Sequence, residues 1–359
     1  MDTDFTVHAV EGTISALLVM RSLLPSLLLA VTSVASAQGP ALVVLNKAEA
    51  SASIISLADG RTIATMPVGD GPHEIAISPD GHWAVAANYG GRTPGNSLTV
   101  LDLRTRRAVR AIDLGTYTRP HGIAWLPDGK RVVVTSEQAG AVVIVDVPNG
   151  RVDHAIATGQ PGHLLTLAKD GRHVWTANIA TGSVSLVDLD HGKVVKTVVT
   201  GRGPEGNDVS PNGRELWAAD RTLNRITVLD ANTLDSLASI PTGEFPNRVH
   251  FTPDGRWVLV SNIRSGTVDV IDAAARRAVD HITFAFDSTQ ANQTMLGTMG
   301  RSPQPEGILI APDGRRAWIA LSAMNRLAEV DLATRHVLRY LTTGKEPDGM
   351  GYVANLAAP

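Results

Sequence analysis

Seven residues that stand at one position of a repeated segment are the main candidates for chemistry in this chain. The segment begins with Pro or Gly, continues with a variable polar residue and an apolar stretch, and ends in a turn, as in GPHEIAISPDG at 71–81. The variable position is occupied by His73, His121, His163, Glu205, Asn247, Glu306 and Asp348. Because the copies differ most at this polar position, we look for function there.

Imidazoles and carboxylates at equivalent positions are compatible with three kinds of site. His73, His121 and His163 could converge on one Zn or Fe ion and leave a coordination position open. Alternatively, the histidines together with Glu205 and Glu306 could carry protons in metal-free chemistry or binding of an anionic small molecule, with an arginine as a clamp. In the third interpretation the positions are polar only because they line a wet channel mouth. The sequence leaves these alternatives open.

The elements that must position these residues are short β-strands in units of 42 residues. The unit at 163–204 contains LLTLA, VWTAN, SVSLVDL and VVKTVVTG, which are separated by polar turns and are typical of one propeller blade. Residues 41–69 supply strands two to four of a further unit, and residues 347–353 supply its first strand. We therefore predict an all-β, seven-bladed propeller of four-stranded blades over 41–353, closed by pairing of the N- and C-terminal segments and followed by a tail at 354–359.

Further candidates fall on the same face of this propeller as the variable positions. Predicted ligand-binding residues are Asn88, Asn178, Asp220 and Asn262 at the ends of second strands, together with Asn247, Arg248 and Asp348. Other polar residues nearby in sequence are Tyr89, Glu137, Arg119, Arg221 and Arg264. The largest departure from the repeat is the polar segment 286–305, which is either a lid with Arg301 directed at the channel or a surface loop without function. His250 lies in an inner strand beside the channel.

Composition excludes several classes of function. Charged residues make up 19% of the chain and the formal net charge is −3, which gives no electrostatic footprint for nucleic acid or an anionic membrane. Cysteine is absent, so disulfides, thiolate metal sites and Fe–S clusters are excluded. The chain has no nucleotide-binding fingerprint and no Trp-centred docking repeat of pyrroloquinoline quinone dehydrogenases. A divalent metal held by His or carboxylate ligands stays possible as a cofactor.

The N-terminus has the features of an export signal. From Met20 the chain reads MRSLLPSLLLAVTSVASA, with one basic residue, an apolar run and an Ala-Ser-Ala site that ends at Ala37, in the order of a cleavable signal peptide. Residues 1–19 are acidic, so we expect them to be an upstream extension and translation to start at Met20. An uncleaved anchor over 14–36 is the alternative. Cleavage after Ala37 would give a periplasmic or secreted monomer that has no membrane segment.

The second strand of several units ends in a polar residue after a short apolar run. Copies are VVLN at 43–46, VAAN at 85–88, WTAN at 175–178 and WAAD at 217–220. Together with the Ser-Pro-Asp-Gly turns, this pattern resembles the YVTN family of β-propeller repeat proteins, which includes YncE-like periplasmic proteins and archaeal surface-layer propellers. The resemblance covers 41–353 and implies the fold, whereas fold alone does not assign an activity.

The function that we expect is an exported propeller that binds a small molecule, a metal or a protein partner at its loop-rich channel mouth. The enzymatic alternative is a hydrolase, lactonase or lyase that acts on a small cyclic or carboxylated substrate, with metal assistance as an option. A scaffold for protein interactions is a third class. The sequence does not decide whether any reaction is catalysed.

Overall fold

The repeated segments form β-strands because apolar residues alternate along them and turn residues bound them. The computed structural model describes residues 39–287, 294 and 302–356. The predicted extension 1–19, the signal peptide 20–37, Arg301 and most of the segment 286–305 lie outside the described residues. Within the described ranges, no helix has the length and apolar character needed to cross a membrane.

The first four blades each contain four antiparallel strands, and the innermost strand of blade 1 comes from the C-terminus. Blade 1 contains β1 (Gly39–Asn46), β2 (Ser51–Ser56), β3 (Thr62–Pro67) and the last strand, β28 (Pro347–Leu356). Blade 2 contains β4 (Pro72–Ile77), β5 (Trp83–Gly90), β6 (Pro94–Asp102) and β7 (Arg107–Asp113). Blade 3 contains β8 (Pro120–Trp125), β9 (Arg131–Ser136), β10 (Ala141–Asp146) and β11 (Arg151–Ala157). Blade 4 contains β12 (Gly162–Leu167), β13 (His173–Asn178), β14 (Ser183–Asp188) and β15 (Lys193–Val199).

The remaining three blades repeat this order from the channel outward. Blade 5 contains β16 (Pro204–Val209), β17 (Glu215–Asp220), β18 (Arg225–Asp230) and β19 (Ser236–Pro241). Blade 6 contains β20 (Pro246–Phe251), β21 (Trp257–Asn262), β22 (Thr267–Asp272) and β23 (Arg277–Thr283). Blade 7 contains β24 (Pro305–Ile310), β25 (Arg316–Leu321), β26 (Arg326–Asp331) and β27 (His336–Thr342). One-turn 3-10 helices follow β1 and β25, at Lys47–Glu49 and Ser322–Met324.

Blade 1 closes the ring. Strand β1 pairs with β2 on one side and with β28 on the other, for example through Val43 opposite Ile54 and Gly351. Both pairings are antiparallel, so the two chain ends complete one four-stranded sheet. The prediction of a seven-bladed propeller with this closure is confirmed. Closure matters because without β28 the inner edge of β1 would be unpaired, and such an edge can pair with another chain.

The hydrophobic core lies between neighbouring blades. Trp217 of blade 5 is fully buried and makes an edge-to-face contact with Phe251 of blade 6, with ring centroids 5.3 Å apart. The outermost strands are more exposed to solvent. Val109 and Val195 on these strands, for example, are about half exposed. The packing therefore fixes the middle strands of each blade and, through them, the inner strands that line the channel.

An irregularity at the start of each inner strand positions the variable residue. In blade 4, Gly162 is opposite Asn178 but Leu164 is opposite Ala177, which leaves His163 as an extra residue in the pairing. A register shift occurs at the equivalent place in the other six blades. Such bulges re-aim a side chain while the flanking strand stays paired. The fold thus presents one polar side chain from each blade to the channel mouth.

Candidate functional site

The structure brings all seven variable residues together in one layer across the channel mouth. Each is the second residue of an innermost strand: His73, His121, His163, Glu205, Asn247, Glu306 and Asp348. His73 is half-buried, and the other six are at most 8% exposed. The channel mouth is therefore filled by packed polar side chains instead of being an open wet ring. We call these seven residues the polar layer.

The three histidines form a continuous arc with a tyrosine. The ring centroids are 4.9 Å apart for His73 and His121 and 3.9 Å apart for His121 and His163. Tyr89, near the end of β5 in blade 2, lies 4.7 Å from His73 and 5.1 Å from His121. The structure thus brings the three histidines of neighbouring blades together at the channel.

His163 is held between two carboxylates. Its Nδ1 lies 2.6 Å from Glu137 Oε2 and its Nε2 lies 3.1 Å from Glu205 Oε1. Arg221 donates to the other oxygen of Glu205 at 2.6 Å, and Tyr89 donates to Glu137 at 3.1 Å. Negative and positive groups alternate along this chain of contacts, so their attraction offsets the free-energy cost of burying each charge.

The charges of this chain shift the pKa values of its members in opposite directions. Burial opposes protonation of His163, but Glu205 and Glu137 outweigh burial and raise its pKa to about 9. Burial likewise favours protonation of Glu205, but His163 and Arg221 outweigh it and lower the pKa to about 2. Near neutral pH, His163 is therefore an imidazolium and Glu205 a carboxylate.

The other two histidines are neutral near pH 7. Burial, reinforced by the charge of Lys47, lowers the pKa of His73 to about 3. Burial and the neighbouring His163 and His73 place the pKa of His121 well below its usual value. Nδ1 of His73 lies 2.8 Å from the carbonyl oxygen of Gly71. That contact requires the proton on Nδ1, so the lone pair of the neutral ring is on Nε2.

The opposite arc of the polar layer is an ionic network centred on two cations. Lys47 forms ion pairs with Glu306 and, at 3.3 Å, with Asp348. Arg248 contacts Asp348 at 3.4 Å and Glu74 at 2.5 Å. Burial lowers the pKa of Lys47, but Asp348 and Glu306 outweigh it and leave the pKa raised. Both cations are therefore charged, and the network joins blades 1, 2, 6 and 7 across the channel.

Two members of this network were missed by sequence reasoning. Lys47 directly follows the second-strand end of blade 1, the position that Tyr89, Glu137 and Arg221 occupy in other blades. Glu74 directly follows His73. Alignment of the repeats would have found both, because Lys47 aligns with Glu137 and Arg221, and Glu74 is charged at a position where four blades carry glycine.

Glu74 and Arg248 replace a glycine that most blades need. At the equivalent position, a Cβ on Gly206 would lie 2.3 Å from Asn247 O and one on Gly307 would lie 2.2 Å from Asp348 O. These glycines therefore allow neighbouring inner strands to approach one another. Blades 2 and 6 carry Glu74 and Arg248 at this position instead, and these two side chains form an ion pair across the channel.

The predicted ligand residues at the second-strand ends have structural roles. Asn88 accepts a hydrogen bond from Gly69 N and donates to Ser97 and Thr99. The other three also bond within their own blade or to its incoming loop, since Asn178 donates to Ser183 and Ser185, Asp220 accepts from the amides of Arg202, Thr222 and Leu223, and Asn262 donates to Thr267. All four side chains are buried. Their polar groups hold the turns of the blade instead of facing the channel mouth.

The three-histidine metal site predicted from the sequence is not formed in the described part of the chain. Both ring nitrogens of His163 contact carboxylates, and no group of three or more His, Cys, Asp or Glu there is arranged to hold a metal ion. The physical reason is that the neighbouring rings pack against one another at tilts of 58° and 40° instead of directing their nitrogen atoms at one point.

A rim of arginines stands above the polar layer. Arg119 lies over the ring of Tyr89 at 4.6 Å, and Arg221 and Arg264 lie over Phe245 at 5.3 and 5.4 Å. Arg119 and Arg221 are half-exposed and Arg264 is exposed. The mouth therefore combines a neutral imidazole, aromatic surfaces and accessible guanidinium groups, which suits a flat ligand that carries carboxylates.

Comparison of the sequence with protein families gives one match. The family described as "Cytochrome D1 heme domain" matches residues 127–350, which is more than half of the chain. Among curated proteins, no sequence matches significantly.

Solved structures that share this fold come from proteins with different descriptions. Hydrazine synthase of Kuenenia stuttgartiensis is 17% identical, with a TM-score of 0.69 over 82% of this chain and 92% of that one. A functionally unknown protein from Desulfotomaculum acetoxidans is 14% identical, with a TM-score of 0.70 over 89% and 99%. The dihydro-heme d1 dehydrogenase NirN, solved in complex with DHE, is 15% identical, with a TM-score of 0.62 over 87% and 74%. At these identities the likeness shows the fold alone.

Proposed function

The chain belongs to the cytochrome D1 heme domain family, and on that basis we propose that its channel mouth binds a heme-type tetrapyrrole. The proposal rests chiefly on one observation: His73 is a neutral, half-exposed imidazole whose Nδ1 contacts a backbone carbonyl. This is the usual state of a histidine that ligates a metal through its other nitrogen. NirN, which shares the fold, was solved with DHE bound.

The residues at the mouth fit such a group. His73 would hold the iron through Nε2, as imidazoles do in heme proteins. Arg119 would pair with a carboxylate of the tetrapyrrole, since a guanidinium group binds a carboxylate with two parallel hydrogen bonds. Tyr89 supplies an aromatic surface beside His73. A bound heme would supply an iron centre for small-molecule binding or electron transfer.

The packed polar layer would form the floor of this site. His121 and His163 lie beside His73 but are buried, and His163 is occupied by Glu137 and Glu205. These charges would keep the floor rigid and exclude water from the channel side of the ligand. His73 is thus the histidine of the arc best placed to reach a ligand from outside.

The test is an absorption titration of the purified protein with heme d1 and, in parallel, with hemin. We expect the visible bands to shift and to saturate at one equivalent. His73→Ala should abolish the shift, whereas Arg119→Ala should weaken binding about tenfold, the loss of one charge-assisted contact. The matched control is His154→Ala, because His154 is exposed on β11 and contacts only its neighbour Asp153 among the described residues.

Titration with metal-free protoporphyrin separates the contribution of iron ligation from that of carboxylate binding. It should bind independently of His73 but still depend on Arg119, since its carboxylates remain and its iron does not. Binding of neither heme, or binding that His73→Ala leaves unchanged, would contradict the proposed site.

We also infer that the protein acts outside the cytoplasm, from the signal peptide features at 20–37. N-terminal sequencing of the exported protein should start at residue 38 if cleavage follows Ala37. Retention of the protein in the cytoplasm after expression from Met20 would overturn this inference. The narrower relationship to YVTN-repeat, YncE-like proteins is a proposal that rests on the repeat motifs.

A further inference from the structure

The central channel holds a cavity below the polar layer, towards the Pro-Asp-Gly turns. We call it the lower channel. Its walls come from all seven inner strands, and its volume is about 210 Å³. One ordered water molecule needs only about 10–15 Å³ by this measure, whereas pockets for drug-sized ligands start at roughly 300 Å³. The lower channel therefore suits a ligand of a few non-hydrogen atoms.

Three polar residues from consecutive blades line one side of the lower channel. Thr166, Asp208 and His250 are each the fifth residue of their inner strand, in blades 4, 5 and 6. The fifth residues in the other four blades are small or apolar: Ala76, Ala124, Leu309 and Gly351. The residue type at this fifth position therefore also differs between blades, and the polar residues are confined to one arc of the channel wall.

Asp208 is a carboxyl group held in a fixed orientation. It accepts hydrogen bonds from Val209 N at 2.8 Å and from Phe251 N of the neighbouring blade at 2.9 Å. Burial nevertheless raises its pKa to about 7, against the effect of these two amides, and no cation of the described residues acts on it appreciably. In contrast, Glu74 and Arg248 at the upper end of the cavity neutralise each other. Asp208 is therefore the uncompensated acidic group of the lower channel.

His250 faces the same carboxyl without bonding to it. Its Nδ1 lies 3.8 Å from Asp208 Oδ2, which is too far for a hydrogen bond. Partial removal of the ring from solvent and the charge of Arg248 lower the pKa of His250, so the ring is neutral near pH 7 and one nitrogen is an acceptor. The side chain is 41% exposed, so solutes can reach it.

From this geometry we propose that the lower channel binds a small organic ammonium ion. Its N–H groups would donate to Asp208 and to the acceptor nitrogen of His250, and a short alkyl part would lie against Leu165 and Val249. A cation supplies the charge that the desolvated carboxylate lacks. The cavity is much larger than a bare metal ion, which favours the organic cation. This site is independent of the heme proposed at the mouth.

The experiment is calorimetric titration of the full chain with ethylammonium chloride, with 1-propanol as a neutral and sodium propionate as an anionic comparison probe. We expect saturable binding of ethylammonium only. Asp208→Asn should weaken it at least tenfold, and His250→Ala should weaken it several-fold without touching the amide bonds of Asp208. Urea unfolding of both variants checks that they fold.

Two controls keep the outcome decisive. Asp153→Asn removes the carboxylate of an Asp–His pair on the outer surface and should leave ethylammonium binding unchanged, as should His73→Ala at the mouth. Equal binding of propanol or propionate, competition by an equimolar amount of Zn²⁺, or unaltered binding by folded Asp208→Asn would each overturn the proposal.

Discussion

At the residue scale, the charged side chains of the channel mouth depend on one another because they are buried. Lys47, Glu306 and Asp348 are all at most 4% exposed, and a buried charge is tolerated only when it is paired. Burial, with repulsion from Asp348, raises the pKa of Glu306 even though Lys47 opposes it. Removal of one charged partner should therefore lower the free energy of unfolding by more than the intact ion pair contributes to it.

The replacement Lys47→Met tests this dependence. It leaves Glu306 and Asp348 close together without their shared cation, so we expect the free energy of unfolding in urea to fall by about 3–5 kcal/mol. The second change Glu306→Gln should restore part of the loss. The control is Arg61→Ala, whose pair with Asp59 is largely exposed and should contribute little to stability because water screens it. A loss no larger than this control would argue against a buried network.

The pH dependence of stability should report His163. Its pKa is raised from 6.5 to about 9 in the folded protein by Glu205 and Glu137, which outweigh burial. The stabilisation is therefore fully present below pH 6.5 and is lost as the pH rises through 9. We expect the unfolding free energy to drop by on the order of 2 kcal/mol between pH 7 and 9.5.

Glu205→Gln is the matched variant for this measurement. It removes the largest favourable charge on His163, so the alkaline decline should become shallower and begin at lower pH. A wild-type curve that is flat from pH 7 to 9.5 would show that His163 is not held as an imidazolium.

At the element scale, the spacing between inner strands sets what each blade can present to the channel. Glycine follows the variable residue in four blades because a Cβ there would collide with the backbone of the neighbouring strand, as at Gly307. The bulge at the same place turns the preceding residue into the mouth. Strand spacing and bulge together produce the polar layer.

Gly307→Ala should therefore destabilise the protein by about 3 kcal/mol, at the upper end of what overpacking costs. Gly213→Ala is the control, because a Cβ there meets no atom within 4 Å and only its φ of +73° is unfavourable, at about 1 kcal/mol. The measurement is urea unfolding of both variants. Equal losses would mean that the inner strands can separate to admit a methyl group.

At the scale of the whole molecule, stability depends on the closing sheet. Strand β28 supplies the innermost strand of blade 1 and carries Asp348, which pairs with both Lys47 and Arg248. The C-terminus is thus joined to the ring by backbone pairing and by the ionic network. Loss of the backbone pairing or of the ionic network should therefore destabilise distant blades as well, since a ring that opens exposes two strand edges.

Truncation after Glu346 removes β28 and tests this coupling. We expect loss of cooperative unfolding by circular dichroism and the appearance of oligomers in size-exclusion chromatography. Truncation after Leu356 retains β28 and should behave as the full chain. A folded monomer from the shorter form would show that closure is dispensable.

The number of blades, the four-strand plan of each blade and the closure by the chain ends were determined by the sequence alone, because turn residues and apolar alternation repeat along the chain. The predicted tail at 354–359 was placed too early, because β28 continues to Leu356. The sequence also located His73, His121, His163 and the carboxylates at one level. Which of them carry charge was decided only by the tertiary structure. Pairing of Glu74 with Arg248 and of Lys47 with Glu306 joins residues 174 and 259 positions apart. Such contacts depend on how blades meet across the channel, and burial at that point sets each pKa.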